Sequence, residues 1–109
     1  MDFETTNRLR QVTLSVNDCE YHFPVAVDDG ADFSIVGSDS AIKFSRFYLS
    51  CRPFSFKVAD NRQFQCDTYV LFDVTVSTVC GPVTVRRHPI YVAKFDMPAV
   101  LLGRPFPKP

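Results

Sequence analysis

Phe23-Pro24-Val25-Ala26-Val27-Asp28-Asp29-Gly30-Ala31-Asp32-Phe33-Ser34-Ile35-Val36 is the stretch whose reading decides the fold. An apolar strand runs straight into Asp28-Asp29-Gly30-Ala31, and a second apolar strand leaves it. Gly30 lets the backbone turn sharply without a Cβ clash. The rigid strand before it fixes where the Asp28 carboxylate points. Read alone, the segment is first of all an ordinary acidic β-turn, because acid-glycine turns are common.

Outward from this segment, period-two alternation dominates. Val12, Leu14 and Val16 alternate with Thr13 and Ser15, and Tyr21, Phe23, Val25 and Val27 with His22, Pro24 and Ala26. Asn17-Asp18 tolerates left-handed backbone, so residues 10–16 and 19–27 are expected to form a hairpin. Pro24 places its strand at an edge or a bulge. Phe54 to Val58 and Phe64 to Cys66 flank Asp60-Asn61, a second hairpin tip. Tyr69 to Val79 is a long β-branched stretch that Cys80-Gly81-Pro82 breaks, and Val83 to Val92 resumes it. Helix is expected only within Ser38 to Phe47, with Ser38 as cap, for a turn or two. Seven or so short strands predict an all-β closed barrel or sandwich with at most one or two short helices.

Composition narrows the function classes. Hydrophobic residues make up 46% of the 109, aromatics 14% and charged residues 22%, a globular chain of one-domain size. Twelve Lys and Arg balance twelve Asp and Glu, so no global positive field favours nucleic acid. Arg86-Arg87-His88 reads as a solvated edge near a strand end. No apolar run approaches the roughly 20 residues of a membrane helix, and Met1-Asp2-Phe3-Glu4 does not open a signal peptide. Cys19, Cys51, Cys66 and Cys80 show no Cys-x-x-Cys spacing, which argues against a metal site, and no cofactor motif is present. They read as reduced, small buried hydrophobes of an intracellular, cytoplasmic protein. Neither His22 nor His88 has a sequence reason to meet a thiol, so both read as core or surface histidines.

Some seventy residues after the acidic loop, Pro98-Ala99-Val100-Leu101-Leu102-Gly103-Arg104-Pro105-Phe106 is an apolar strand ending in Gly-Arg. Together the two segments resemble the retropepsins, the single-lobed aspartic protease domains of retroviruses, retrotransposons and related cellular proteins. That family pairs an apolar-apolar-Asp-Thr/Ser-Gly-Ala motif with a later apolar-apolar-Gly-Arg motif. The resemblance spans about residues 10–106 of a single domain, 1–109, with a tail at 104–109.

The resemblance implies the acid-protease barrel of one retropepsin lobe, with Asp28 as the catalytic aspartate and Asp29, Gly30 and Ala31 in its loop. It implies an ion pair between Asp32 and Arg104, and a flap hairpin whose tip is Val58, Ala59, Asp60, Asn61 and Arg62. One aspartate per chain implies a homodimer that cleaves peptide bonds in a polyprotein-like substrate. In such a site two carboxyls about 3 Å apart share one proton, one serving as base and the other as acid.

Three departures bear on activity. Asp29 stands where the family has Thr or Ser, and an ionised carboxylate accepts hydrogen bonds but donates none. The flap tip lacks the family's glycines, and the sequence stops just after Gly-Arg, where retroviral members continue into a helix and a dimer-forming strand. An inactive dimerisation or peptide-binding module of the same fold is therefore the rival expectation.

Overall fold

The alternation read along residues 12–16 and 21–26 is borne out in the computed structural model, which describes residues 10–27, 32–57, 63–78, 80–97 and 99–103. Strands β1 (Arg10–Val16) and β2 (Cys19–Val27) form the expected hairpin, with Val16 opposite Cys19. Asn17 and Asp18 have φ of 49° and 68°. Positive φ at both central residues is the condition for a turn whose twist matches that of the strands. Pro24 faces Gln11, one residue before β2 acquires its second neighbour at Val25. In a two-residue hairpin every second pair outward from the closing one is bonded. Gln11–Pro24 falls among the non-bonded pairs, so the missing N–H of Pro24 costs no ladder bond.

The remaining strands are β3 (Ser34–Val36), β4 (Leu49–Lys57), β5 (Gln63–Thr78), β6 (Gly81–Val92) and β7 (Val100–Leu102). The sheet order is β1-β2-β7-β3-β6-β5-β4, and β1 also pairs with β5. Six strands thus close into a barrel and β4 hangs outside it. The closure is possible because β5 is long. One edge of β5 pairs with β4 over Gln63–Tyr69 and with β1 over Asp73–Val76, while the other carries β6. The sequence suggested two separate segments here, Phe64–Cys66 and Tyr69–Val79, but they are one continuous strand.

Val70, Phe72, Val74 and Val76 of β5 point inward, facing Val12 and Leu14 of β1, Phe23 and Val25 of β2, and Val100 and Leu102 of β7. Fully burying such side chains contributes roughly 1.5–3 kcal/mol each. One end of the barrel is stoppered by α1 (Ser38–Ala41) and the 3-10 segment Ile42–Phe47. The segment kinks at Phe44, whose φ of −120° and ψ of 30° leave helical geometry. The Phe44 ring is fully buried, edge-on to Tyr21, Phe23 and Phe72 at 5.2, 6.0 and 5.0 Å.

Gly37, not Ser38, occupies the cap position of α1, and the Ser38 hydroxyl donates instead to Asp96 Oδ1 at 3.1 Å. Glycine is required at 37, because a Cβ there would collide with the Met97 backbone nitrogen and with Asp39 Oδ1. Backbone bonds from Ser38 N–H to Phe95 O and from Ala93 N–H to Val36 O, each 2.9 Å, draw these chains together. No helix among the described residues is long and apolar enough to cross a membrane.

Candidate active site

Both sequence motifs converge on β7. This strand lies between β2, which leads into the acidic loop, and β3, which leaves it. It runs parallel to β2, with Val25, Ala26 and Val27 opposite Val100, Leu101 and Leu102, and antiparallel to β3, with Ile35 opposite Leu101. Segments some seventy residues apart in sequence are therefore hydrogen-bonded neighbours. Asp28, Asp29, Gly30 and Ala31 lie outside the described residues, as do Arg104 and the flap tip Val58, Ala59, Asp60, Asn61 and Arg62. The expected Asp32–Arg104 pair lies outside them too. Asp32 itself is exposed at the entrance to β3.

The strands that would carry a flap are described: β4 and β5 form a hairpin registered down to Lys57 opposite Gln63. Its outer half is tied to the residue before β3 and to β6 by aromatic rings that sequence reasoning did not single out. Phe33, one residue after Asp32, lies 5.3 Å from Phe54, 5.1 Å from Phe56 and 5.6 Å from Tyr91. Phe56 continues to Phe64 at 5.7 Å, which stacks on Phe95 at 4.5 Å. Tilted and edge-on pairs at such separations are favourable beyond their buried area. The arm is thus braced along the half nearest its last described pair, Lys57–Gln63.

Arg86-Arg87-His88 requires a correction. Rather than sitting near a strand end, the triplet lies in the interior of β6 at a bulge, where the β5–β6 register shifts between Phe72 and Val74. Arg87 has φ of 51°, and its N–H is held by Asp73 Oδ1 at 3.0 Å. Such an extra residue re-aims its neighbours. Arg86 and Arg87 are exposed, but His88 turns inward and its Nε2 lies 2.7 Å from Ser34 Oγ. Burial pushes the pKa of His88 down from its ordinary value, favouring the neutral imidazole. Parity was the available signal: His88 shares its face of β6 with the buried Ile90 and Val92.

Gly103 N–H donates to the same Ser34 Oγ at 3.1 Å. An open cleft of about 640 Å³ lies elsewhere, lined by Asn17, Asp18, Asp73, Arg86 and Arg87 among others. It sits by the β1–β2 turn, at the opposite end of β2 from Val27, and so is not part of this site.

The four thiols are free, and only Cys66 is buried, against the expectation that all would be core residues. Cys19 accepts from Arg46 Nη2 at 3.1 Å, and Cys80 is exposed. Burial, reinforced by Cys51 and Asp67, pushes the Cys66 thiol up to about 11. At pH 8 only about one Cys66 in a thousand is then thiolate, and thiolate is the reactive form. Timed iodoacetamide labelling with peptide mass mapping is expected to modify Cys80 first and Cys66 last; early labelling of Cys66 would contradict its burial.

Neither a protein-family model nor a curated protein sequence matches the chain. Among solved structures it is similar to a retropepsin-like aspartic protease from Rickettsia conorii, at 17% identity and a TM-score of 0.48, over 87% of this chain and 73% of that one. It is similar to EIAV protease complexed with an inhibitor, at 18% identity and a TM-score of 0.49, over 95% and 88%. A third similar structure is the foamy viral protease-reverse transcriptase, at 15% identity and a TM-score of 0.46, over 91% of this chain and 16% of that one. The chain is thus similar in structure to retropepsin-like aspartic proteases.

Proposed function

We propose that the chain is one half of a retropepsin-like aspartic endopeptidase, in which Asp28 from each of two copies forms the catalytic pair. The observation that carries this reading is the insertion of β7 between β2 and β3, which sets Val100–Leu102, the apolar run before Gly103, beside the strand that enters the acidic loop. In the mechanism, the ionised carboxyl of the pair takes a proton from water, and the protonated one polarises the scissile carbonyl. Their apparent pKa values belong to the pair. The substrate is an extended peptide within a polyprotein-like precursor.

Asp29 favours a second reading, a peptide-binding or dimerisation module, since two Asp29 beside two Asp28 crowd four acids at the dimer axis. One experiment separates the two readings. Sedimentation and digestion of a peptide library are followed for wild type and Asp29→Thr between about pH 4, near the ordinary Asp value, and about pH 7. The enzyme reading expects wild type to associate and cleave better in acid. Asp29→Thr is expected to be less pH-dependent, because it removes two like charges and supplies donors. A wild type that binds peptide without cutting it at any pH supports the module. A strict monomer across the range, inert in digestion, refutes the endopeptidase.

A further inference from the structure

Ser34 is the buried polar residue of the described core, 1% exposed, and it stands where two strand ladders run out. β3 begins at Ser34, pairing in parallel with β6 from Ile90 onward and antiparallel with β7 at Ile35–Leu101. Its hydroxyl extends the connection to both neighbours, reaching His88 two residues before Ile90 and Gly103 two residues after Leu101.

The donors can be assigned. Gly103 N–H can only donate, so Ser34 Oγ accepts from it. The hydroxyl has one proton, and in a site closed to water that proton needs an acceptor. Nε2 of a neutral His88 supplies it, with the ring proton then on Nδ1.

We propose that Ser34 is a positioning residue, a two-way hydrogen-bond clip that holds the chain at Gly103 against the start of the strand leaving the acidic loop, with His88 fixing the direction of its hydroxyl. The location gives the clip its consequence. Gly103 follows Leu102, which faces Val27, the last described residue before the acidic loop, and Ser34 follows that loop by three residues. The chain at Gly103, which continues the strand paired with the one entering the loop, is thus tied by one oxygen atom to the strand that leaves it. The clip deepens the endopeptidase reading, and its catalytic readout rests on that reading. Its structural readouts do not.

The test uses the full chain at neutral pH, with Ser34→Ala and Ser34→Thr. Nitrogen chemical shifts of the wild-type imidazole are expected to show His88 with its proton on Nδ1. In Ser34→Ala, Gly103 N–H is expected to exchange about tenfold faster, the scale of one lost hydrogen bond, while the Val36 and Ile90 amides keep their protection. In peptide cleavage, kcat is expected to fall by about 10²-fold at little-changed KM, as for a misplaced catalytic group. Ser34→Thr, which keeps the hydroxyl on a residue suited to strands, should restore both. A wild-type His88 protonated on Nε2 overturns the assignment without any variant. Unchanged Gly103 exchange in a folded Ser34→Ala overturns the clip. Cleavage absent from wild type in acid as well as at neutral pH refutes the endopeptidase, while the tautomer and the exchange rate still decide the clip.

Discussion

Phe44→Ala is expected to cost about 3–5 kcal/mol of folding stability, the range for removing a fully buried aromatic side chain. The residue has no measurable exposure and touches three other rings, Tyr21 and Phe23 of β2 and Phe72 of β5, so the cavity would open where the stopper meets the barrel. Neighbours have little room to collapse into it, since Phe72 is itself fixed in a closed ring of strands. A domain of this size has only about 5–15 kcal/mol in total, so the variant gives up a large share of its margin and should melt well below wild type. Phe44→Leu, which keeps most of the volume, is expected to cost less than half as much. Urea titration followed by circular dichroism measures both. A loss under about 1 kcal/mol for Phe44→Ala would mean that the 3-10 segment does not seal the barrel.

Asp28→Asn is expected to abolish peptide cleavage and leave the fold intact. In a homodimer the substitution removes both carboxyls at once, and with them both the group that accepts the proton of water and the group that donates to the carbonyl. General acid–base catalysis contributes about 10²–10⁴-fold per group, and an amide can neither take nor release the proton at any working pH. Association should not weaken, since two potential like charges are lost at the axis. Sedimentation and peptide digestion of the variant, run beside wild type in acid, check both halves. An Asn variant that cuts as fast as wild type would move the chemistry to another residue.

The longer strands β1, β2 and β5 were legible in the sequence because one face of each is buried and the period of the side chains is two, while β3, buried at every residue, was legible as a short apolar run. The β1–β2 hairpin follows from Asn17-Asp18 between two alternating runs, as both residues accept positive φ. Partners were less legible. Asp67-Thr68 looked like an interruption between two strands, yet β4 pairs across it and β5 runs through. The two motifs flanking the site were readable as residue patterns; what they depend on was not. Ser34 and His88 are 54 residues apart and meet only because the β3–β6 register and the bulge at Arg87 aim them at each other. The bracing by Phe33, Phe54 and Phe56 is likewise a product of packing, invisible where each Phe is read as one more apolar residue.

The place of β7 governs how the chain can be made. It is drawn from the far end of the described sequence and threads between two strands from the first third, so a nascent chain carries β2 and β3 with their facing edges unpaired until Val100–Leu102 has been synthesised. At ribosomal rates that interval is on the order of seconds, long compared with the closing of local hairpins. Open strand edges are templates for pairing with other chains. The β1–β2 hairpin and the β4–β5–β6 meander can assemble as they emerge, but the ring closes only when the last strand slots home. Any fragment ending before Val100 is left as an open sheet with two sticky borders beside its acidic loop.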